Sequence, residues 1–186
     1  MAAMLPAVAV HAQSCVDQFV PNSSMQDFAD HGDGTLTDRR TGLTWSRCSA
    51  GQSWQSGSCV DKAAEFDWTA AESYVREVNE RGDLFYADWR LPNLRELATI
   101  SEVNCQDPRI NLEAFPGTAQ GFYWTASRKL IEGPELAAFA MSFGAEGMRV
   151  SRSVETHHVR LVRRSDHALS DSGAQFQILT SIRSIR

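Results

Sequence analysis

Four cysteines constrain this 186-residue chain more than any other feature, because covalent staples at fixed positions remove most ways of arranging the segments between them. They stand at Cys15, Cys48, Cys59 and Cys105, and four cysteines allow three pairings. The segment 49–58 is rich in Gly, Ser and Gln and closes readily, which favours Cys48–Cys59 as a local bridge. Cys15–Cys105 then spans the fold. Zinc ligation by these thiols is disfavoured, since no C-x-x-C occurs and no histidine stands at ligand spacing from a cysteine.

An even cysteine count fits an oxidising compartment. Residues 1–12 point the same way: they are small or apolar and end in Val10-His11-Ala12, the small-x-small pattern of a signal-peptidase site. Read as a signal-peptide remnant, they put the mature terminus at Gln13. Export to the periplasm, the cell surface or the medium is therefore expected. Lipidation of Cys15 is less favoured, because Gln13 is a poor lipobox residue. No transmembrane segment is expected, as no stretch approaches the roughly eighteen apolar residues that one requires. The length suits one domain with its own core. We divide the chain into the remnant 1–12, an arm 13–26, a domain 27–164 and a polar tail 165–186, in which Phe176-Gln177-Ile178-Leu179 is a possible edge strand.

Periodicity supplies the elements. Gly32-Asp33-Gly34 predicts a hairpin turn, and Arg39-Arg40-Thr41-Gly42 predicts a second turn leading into the strand Leu43-Thr44-Trp45. Thr69-Ala70-Ala71-Glu72 has capping-box spacing before an apolar stripe of Ala71, Tyr74, Val75 and Val78, and Gly82 stops that helix. A shorter helix follows Pro92, capped by Asn93 and Glu96, with Leu94, Leu97 and Ala98 inward. Strands are predicted at 122–125, 136–143, 148–150 and 158–163. The class expected is α+β, two amphipathic helices packed on an antiparallel, partly irregular sheet.

Candidate chemistry is sparse. Asp30, Asp33 and Asp38 around the glycine bends offer oxygens to Ca2+, the only cofactor that the residues suggest. They depart from the EF-hand pattern, and a hairpin with solvated aspartates is favoured. Arg90, in Asp88-Trp89-Arg90-Leu91-Pro92-Asn93, suits a scaffold role as a fork-like donor to Asp88 or Glu96. His157 and His158 are strand neighbours that face opposite sides and cannot share a metal. Trp54, inside the Cys48–Cys59 segment, is the tryptophan best placed to stack on a sugar. Residues 147–186 hold seven arginines against three acidic residues, a net +4, within a chain of net charge −5. Arg149, Arg152, Arg160 and Arg163 are therefore candidates for an anionic ligand. No catalytic set emerges.

Four segments together resemble one family. Residues 32–45, GDGTLTDRRTGLTW, resemble its opening pattern GDGTVTDxxTGLMW, and residues 88–97, DWRLPNLREL, resemble DWRLPNxxEL. Phe122-Tyr123-Trp124-Thr125-Ala126-Ser127 and His158-Val159-Arg160-Leu161-Val162-Arg163 resemble the closing (Y/F)WxSS and YxVRxVR. This is the Lcl C-terminal domain family, named after a collagen-like adhesin. The resemblance implies a C-type-lectin-like fold distantly related to formylglycine-generating enzymes, together with export and surface or pilus association. For the namesake adhesin it implies binding of sulphated glycans. It carries over no catalytic residue, and this chain has no collagen-like repeats.

A non-enzymatic recognition module follows as the leading expectation, with a surface glycan or a protein as ligand and no nucleic-acid partner. Binding is expected at the loops 48–59, 128–135 and 151–156. The alternatives are a formylglycine-generating-type oxidoreductase, which requires free thiolates, and a structural subunit of a pilus or envelope assembly.

Overall fold

Eleven strands and two α-helices occupy the described residues, 13–16, 23–130 and 136–165, of the computed structural model. In chain order they are β1 (Ser14–Cys15), β2 (Phe28–Asp30), β3 (Thr35–Asp38), β4 (Leu43–Ser46), β5 (Ser53–Gln55), β6 (Ser58–Val60), α1 (Trp68–Arg81), α2 (Leu94–Thr99), β7 (Cys105–Gln106), β8 (Phe122–Lys129), β9 (Ala137–Ser142), β10 (Met148–Arg152) and β11 (Val162–Arg164). The signal-peptide reading of 1–12 and the tail 166–186, with its suggested strand at Phe176–Leu179, lie outside the described residues.

The predicted meander forms as β2-β3-β4, and β11 joins it to give the antiparallel order β11-β4-β3-β2. A second antiparallel sheet has the order β10-β9-β8. Two ribbons complete the set: β5 pairs with β6, and β1 with β7. Antiparallel sheets with two helices make the chain α+β, as its element order suggested. No helix among the described residues is long and apolar enough to cross a membrane.

Tyr123 and Trp124 show how the layers meet. As neighbours on β8 they face opposite sides, and both are fully buried. Tyr123 packs in a cluster with Phe28, Leu36, Trp45, Leu97 and Phe115, joining the meander to α2. Trp124 belongs to a second cluster with Trp68, Ala71 and Val78 of α1 and with Trp89 and Leu91 of the central corner. The β8–β9 pair is thus a shared wall between two cores. Each buried tryptophan contributes on the order of 2–3 kcal/mol through apolar burial.

Three local expectations change. Helix α1 is capped by Asp67, whose Oδ1 accepts from the Ala70 amide at 2.8 Å, and Thr69 already lies inside the helix. Burial of Trp68 edge-on against Trp124 (ring centroids 5.3 Å apart) draws the helix start upstream of the capping-box spacing. Gly82 ends the helix in the left-handed conformation, as read. Helix α2 has the predicted Asn93–Glu96 cap, yet Ala98 is exposed. Six residues make fewer than two turns, and Leu97 with Ile100 supplies the buried side instead.

The strand expected at 158–163 is confined to Val162–Arg164. The residues before it form a seam, each bonding a different element. His157 pairs with Phe66, His158 bridges Tyr123, the Val159 carbonyl accepts from Ala50, and the Leu161 carbonyl accepts from Ser46. Serving both sheets prevents this segment from running flat in either.

Candidate functional site

The cysteines pair as the spacing favoured, Cys48–Cys59 with Cα atoms 5.4 Å apart and Cys15–Cys105 at 4.0 Å. The first bridge does not close an irregular loop. It pins the short hairpin of β5 and β6, where Trp54 stands opposite Cys59. Gly34 makes room for this arrangement, since a Cβ there would lie 2.8 Å from Trp54 Cβ and Cγ. The guanidinium of Arg47 stacks over the indole at 4.2 Å. Arg47 is itself fixed by Asp30 at 2.6 Å and by the carbonyls of Ala114 and Glu113 at 2.8 and 2.6 Å. Trp54 is consequently half-buried, with one ring face braced by a cation.

Beside it opens a cleft of about 360 Å³, lined by Asp33, Gln52, Ser53 and Trp54 on one wall and by Tyr74, Asp83 and Leu84 on the other. Burial raises the Tyr74 pKa, so the phenol keeps its donor hydrogen at neutral pH. Asp33 accepts from the amide and hydroxyl of Thr35, and Asp83 accepts from Arg81 Nε at 2.7 Å. The cleft thus combines an aromatic edge with hydroxyl, amide and carboxylate groups. Sequence reasoning found Trp54 through its cysteine-bounded context. It missed Tyr74 and Asp83, because the approach of α1 to the hairpin has no local signal.

The arginines do not form one surface, which corrects the expected anionic site. Arg160 is fully buried, and its guanidinium donates to the carbonyls of Ser46 and Arg47, to Thr118 Oγ1 at 2.8 Å and to Ser49 Oγ at 3.3 Å. Arg163 is buried too, bonded to Asp88 at 2.6 Å and stacked 3.9 Å over the Tyr86 ring. Arg149 and Arg152 remain exposed on β10. A seam residue that serves two sheets needs many donors in one plane, and a guanidinium supplies them.

The aspartates also disperse. Asp30 holds Arg47, Asp33 caps Thr35, and Asp38 is wholly buried against Arg40 at 3.1 Å. Their oxygens serve the meander, and among the described residues no group of three or more His, Cys, Asp or Glu is placed to hold a metal ion. The Ca2+ reading thus finds no site. His157 bonds Ser151 Oγ at 2.8 Å while His158 Nδ1 faces the Ala64 carbonyl at 2.9 Å, so the two imidazoles diverge. Arg90 takes the fork-like role foreseen for it, both nitrogens meeting the Glu96 carboxylate at 2.7 Å.

Among curated proteins none matches the chain. The family profile described as the Lcl C-terminal domain matches residues 34–163, spanning β3 and β4 of the meander, the hairpin that carries Trp54, both helices and the seam. The chain belongs to the Lcl C-terminal domain family.

Proposed function

We propose that this protein is an exported, non-enzymatic recognition module of C-type-lectin-like architecture, presented at a cell surface or pilus, which binds a glycan in the Trp54 cleft. The observation that carries this reading is the bracing of Trp54 by the Cys48–Cys59 hairpin, Gly34 and Arg47 at the edge of a polar cleft. An aromatic face stacks on the C–H face of a sugar ring while nearby hydroxyl, amide and carboxylate groups meet its hydroxyls. Asp33 and Asp83 favour a neutral or amino sugar over a sulphated one.

A glycan-array screen of the disulfide-intact protein at low and high salt tests this reading. Binding to neutral or amino sugars is expected, and Trp54→Ala is expected to weaken it by about 1–2 kcal/mol, the scale of a lost aromatic contact. Binding confined to sulphated glycans and abolished by salt would overturn the cleft assignment, as would binding indifferent to Trp54→Ala.

A further inference from the structure

A second cavity, of about 470 Å³, shares no lining residue with the cleft. It lies where α2 approaches the turn between β3 and β4 and the end of β11. Thr41, Gly42 and Leu43 line it from the turn and the start of β4, Asn93 and Arg95 from the capped beginning of α2, and Arg164 from β11. Arg164 stands opposite Leu43 in the β11–β4 ladder, so it and Arg95 reach the cavity from different elements.

These two guanidiniums are set apart by what they lack. Elsewhere Arg40 is held by Asp38, Arg47 by Asp30, Arg128 by Glu72 and Arg163 by Asp88. Among the described residues neither Arg95 nor Arg164 has a hydrogen-bond or ion-pair partner, although acidic residues outnumber basic ones 23 to 18 in the chain. The carboxylate that lines the cavity, Glu96, is committed. Both its oxygens meet Arg90 at 2.7 Å, and Oε2 also takes the Asn93 amide at 2.8 Å. The charge of Glu96 is thus matched by Arg90, and the backbone end of α2 is closed by the same carboxylate.

Other side chains here add donors. Thr41 Oγ1 accepts from the Leu43 amide at 3.4 Å, which leaves its O–H to donate. Asn93 accepts through Oδ1 from the Glu96 amide at 2.8 Å, which leaves its NH2. The cavity therefore carries two unmatched positive charges and a surplus of donors. Its complement is a doubly charged anion whose oxygens only accept.

We propose that this cavity binds a phosphate monoester group, its terminal oxygens held between Arg95 and Arg164 and met by Asn93 and Thr41. Charge selects the class. A phosphate monoester carries close to two negative charges at neutral pH, whereas a carboxylate, a phosphodiester or a sulphate ester carries one and would leave a cation unmatched. The planar guanidinium fork fits paired phosphate oxygens. The site uses none of Arg149, Arg152, Arg160 and Arg163.

The test titrates the full-length oxidised protein with glucose 6-phosphate by calorimetry at about 0.15 M salt, with glucose as the blank. A second arm measures flotation with phosphatidylcholine vesicles containing phosphatidic acid. Saturable binding is expected, in the first arm assigning a soluble sugar phosphate as the source and in the second a lipid headgroup. It is expected to weaken about tenfold or more in Arg95→Gln, in Arg164→Gln, and when glucose 6-sulphate replaces the phosphate. Arg39→Gln, at an exposed arginine of the adjoining turn that does not line the cavity, is expected to leave it unchanged, as is Trp54→Ala in the glycan cleft. Absence of saturable binding in both arms, equal binding of the sulphate, losses as large in Arg39→Gln, or loss in Trp54→Ala overturns the proposal. So does binding that emerges only in Asp166→Asn, which would give the cavity to a carboxylate of the chain itself.

Discussion

Arg149 and Arg160 are alike in the sequence, two cations in an arginine-rich stretch, and the fold gives them opposite surroundings. Arg149 is half-exposed and pairs with Glu155, whereas Arg160 has no exposed surface and serves backbone carbonyls and hydroxyls from two segments, residues 46–49 and Thr118. Burial lowers the Arg160 pKa below its ordinary value. Replacing it by lysine keeps a charge but removes the planar fork, leaving buried acceptors unmet. Arg160→Lys is therefore expected to cost about 2–4 kcal/mol in urea denaturation, against about 0.5 kcal/mol or less for Arg149→Lys. The contrast was illegible in the sequence. Adjacent positions of the seam alternate between partners, and no spacing rule reports which partner a side chain meets.

At the scale of elements, what was legible had local causes. The Gly-Asp-Gly turn, the Asn93–Glu96 cap and the Gly82 stop each need only neighbours within a few residues, and each is where the sequence placed it. The start of α1 escaped because Trp68 is held by Trp124, more than fifty residues away. Loss of the true cap should therefore be felt, and loss of the apparent one should not. Asp67→Ala is expected to lower stability by about 1 kcal/mol, and Thr69→Ala by a few tenths at most, in parallel thermal melts. The candidate cleft divides the same way. Its cysteine-pinned wall was readable from composition, whereas the wall carrying Tyr74 and Asp83 depends on how α1 docks.

For the molecule as a whole, the seam couples stability to acidity. His157 is buried between Phe122, Trp124 and Ser151, and desolvation, followed by the nearby Arg149, lowers its pKa below the usual 6.5. The folded state thus takes up its proton less readily than the unfolded chain does. The stability this provides is fully present above about pH 6.5 and declines as pH falls from there toward the lower folded pKa. Melting temperatures measured across pH 5–8 should decline on the acid side, and His157→Gln should flatten that part of the profile.

The position of β11 has a consequence for the chronology of synthesis. The β2-β3-β4 hairpins join residues close in sequence, but the second edge of β4 is filled only by Val162–Arg164. A chain emerging N-terminus first therefore holds that edge unmatched until its last described strand arrives, and Arg160 enters between the sheets just before it. Completion waits on contacts more than a hundred residues apart, the slow kind.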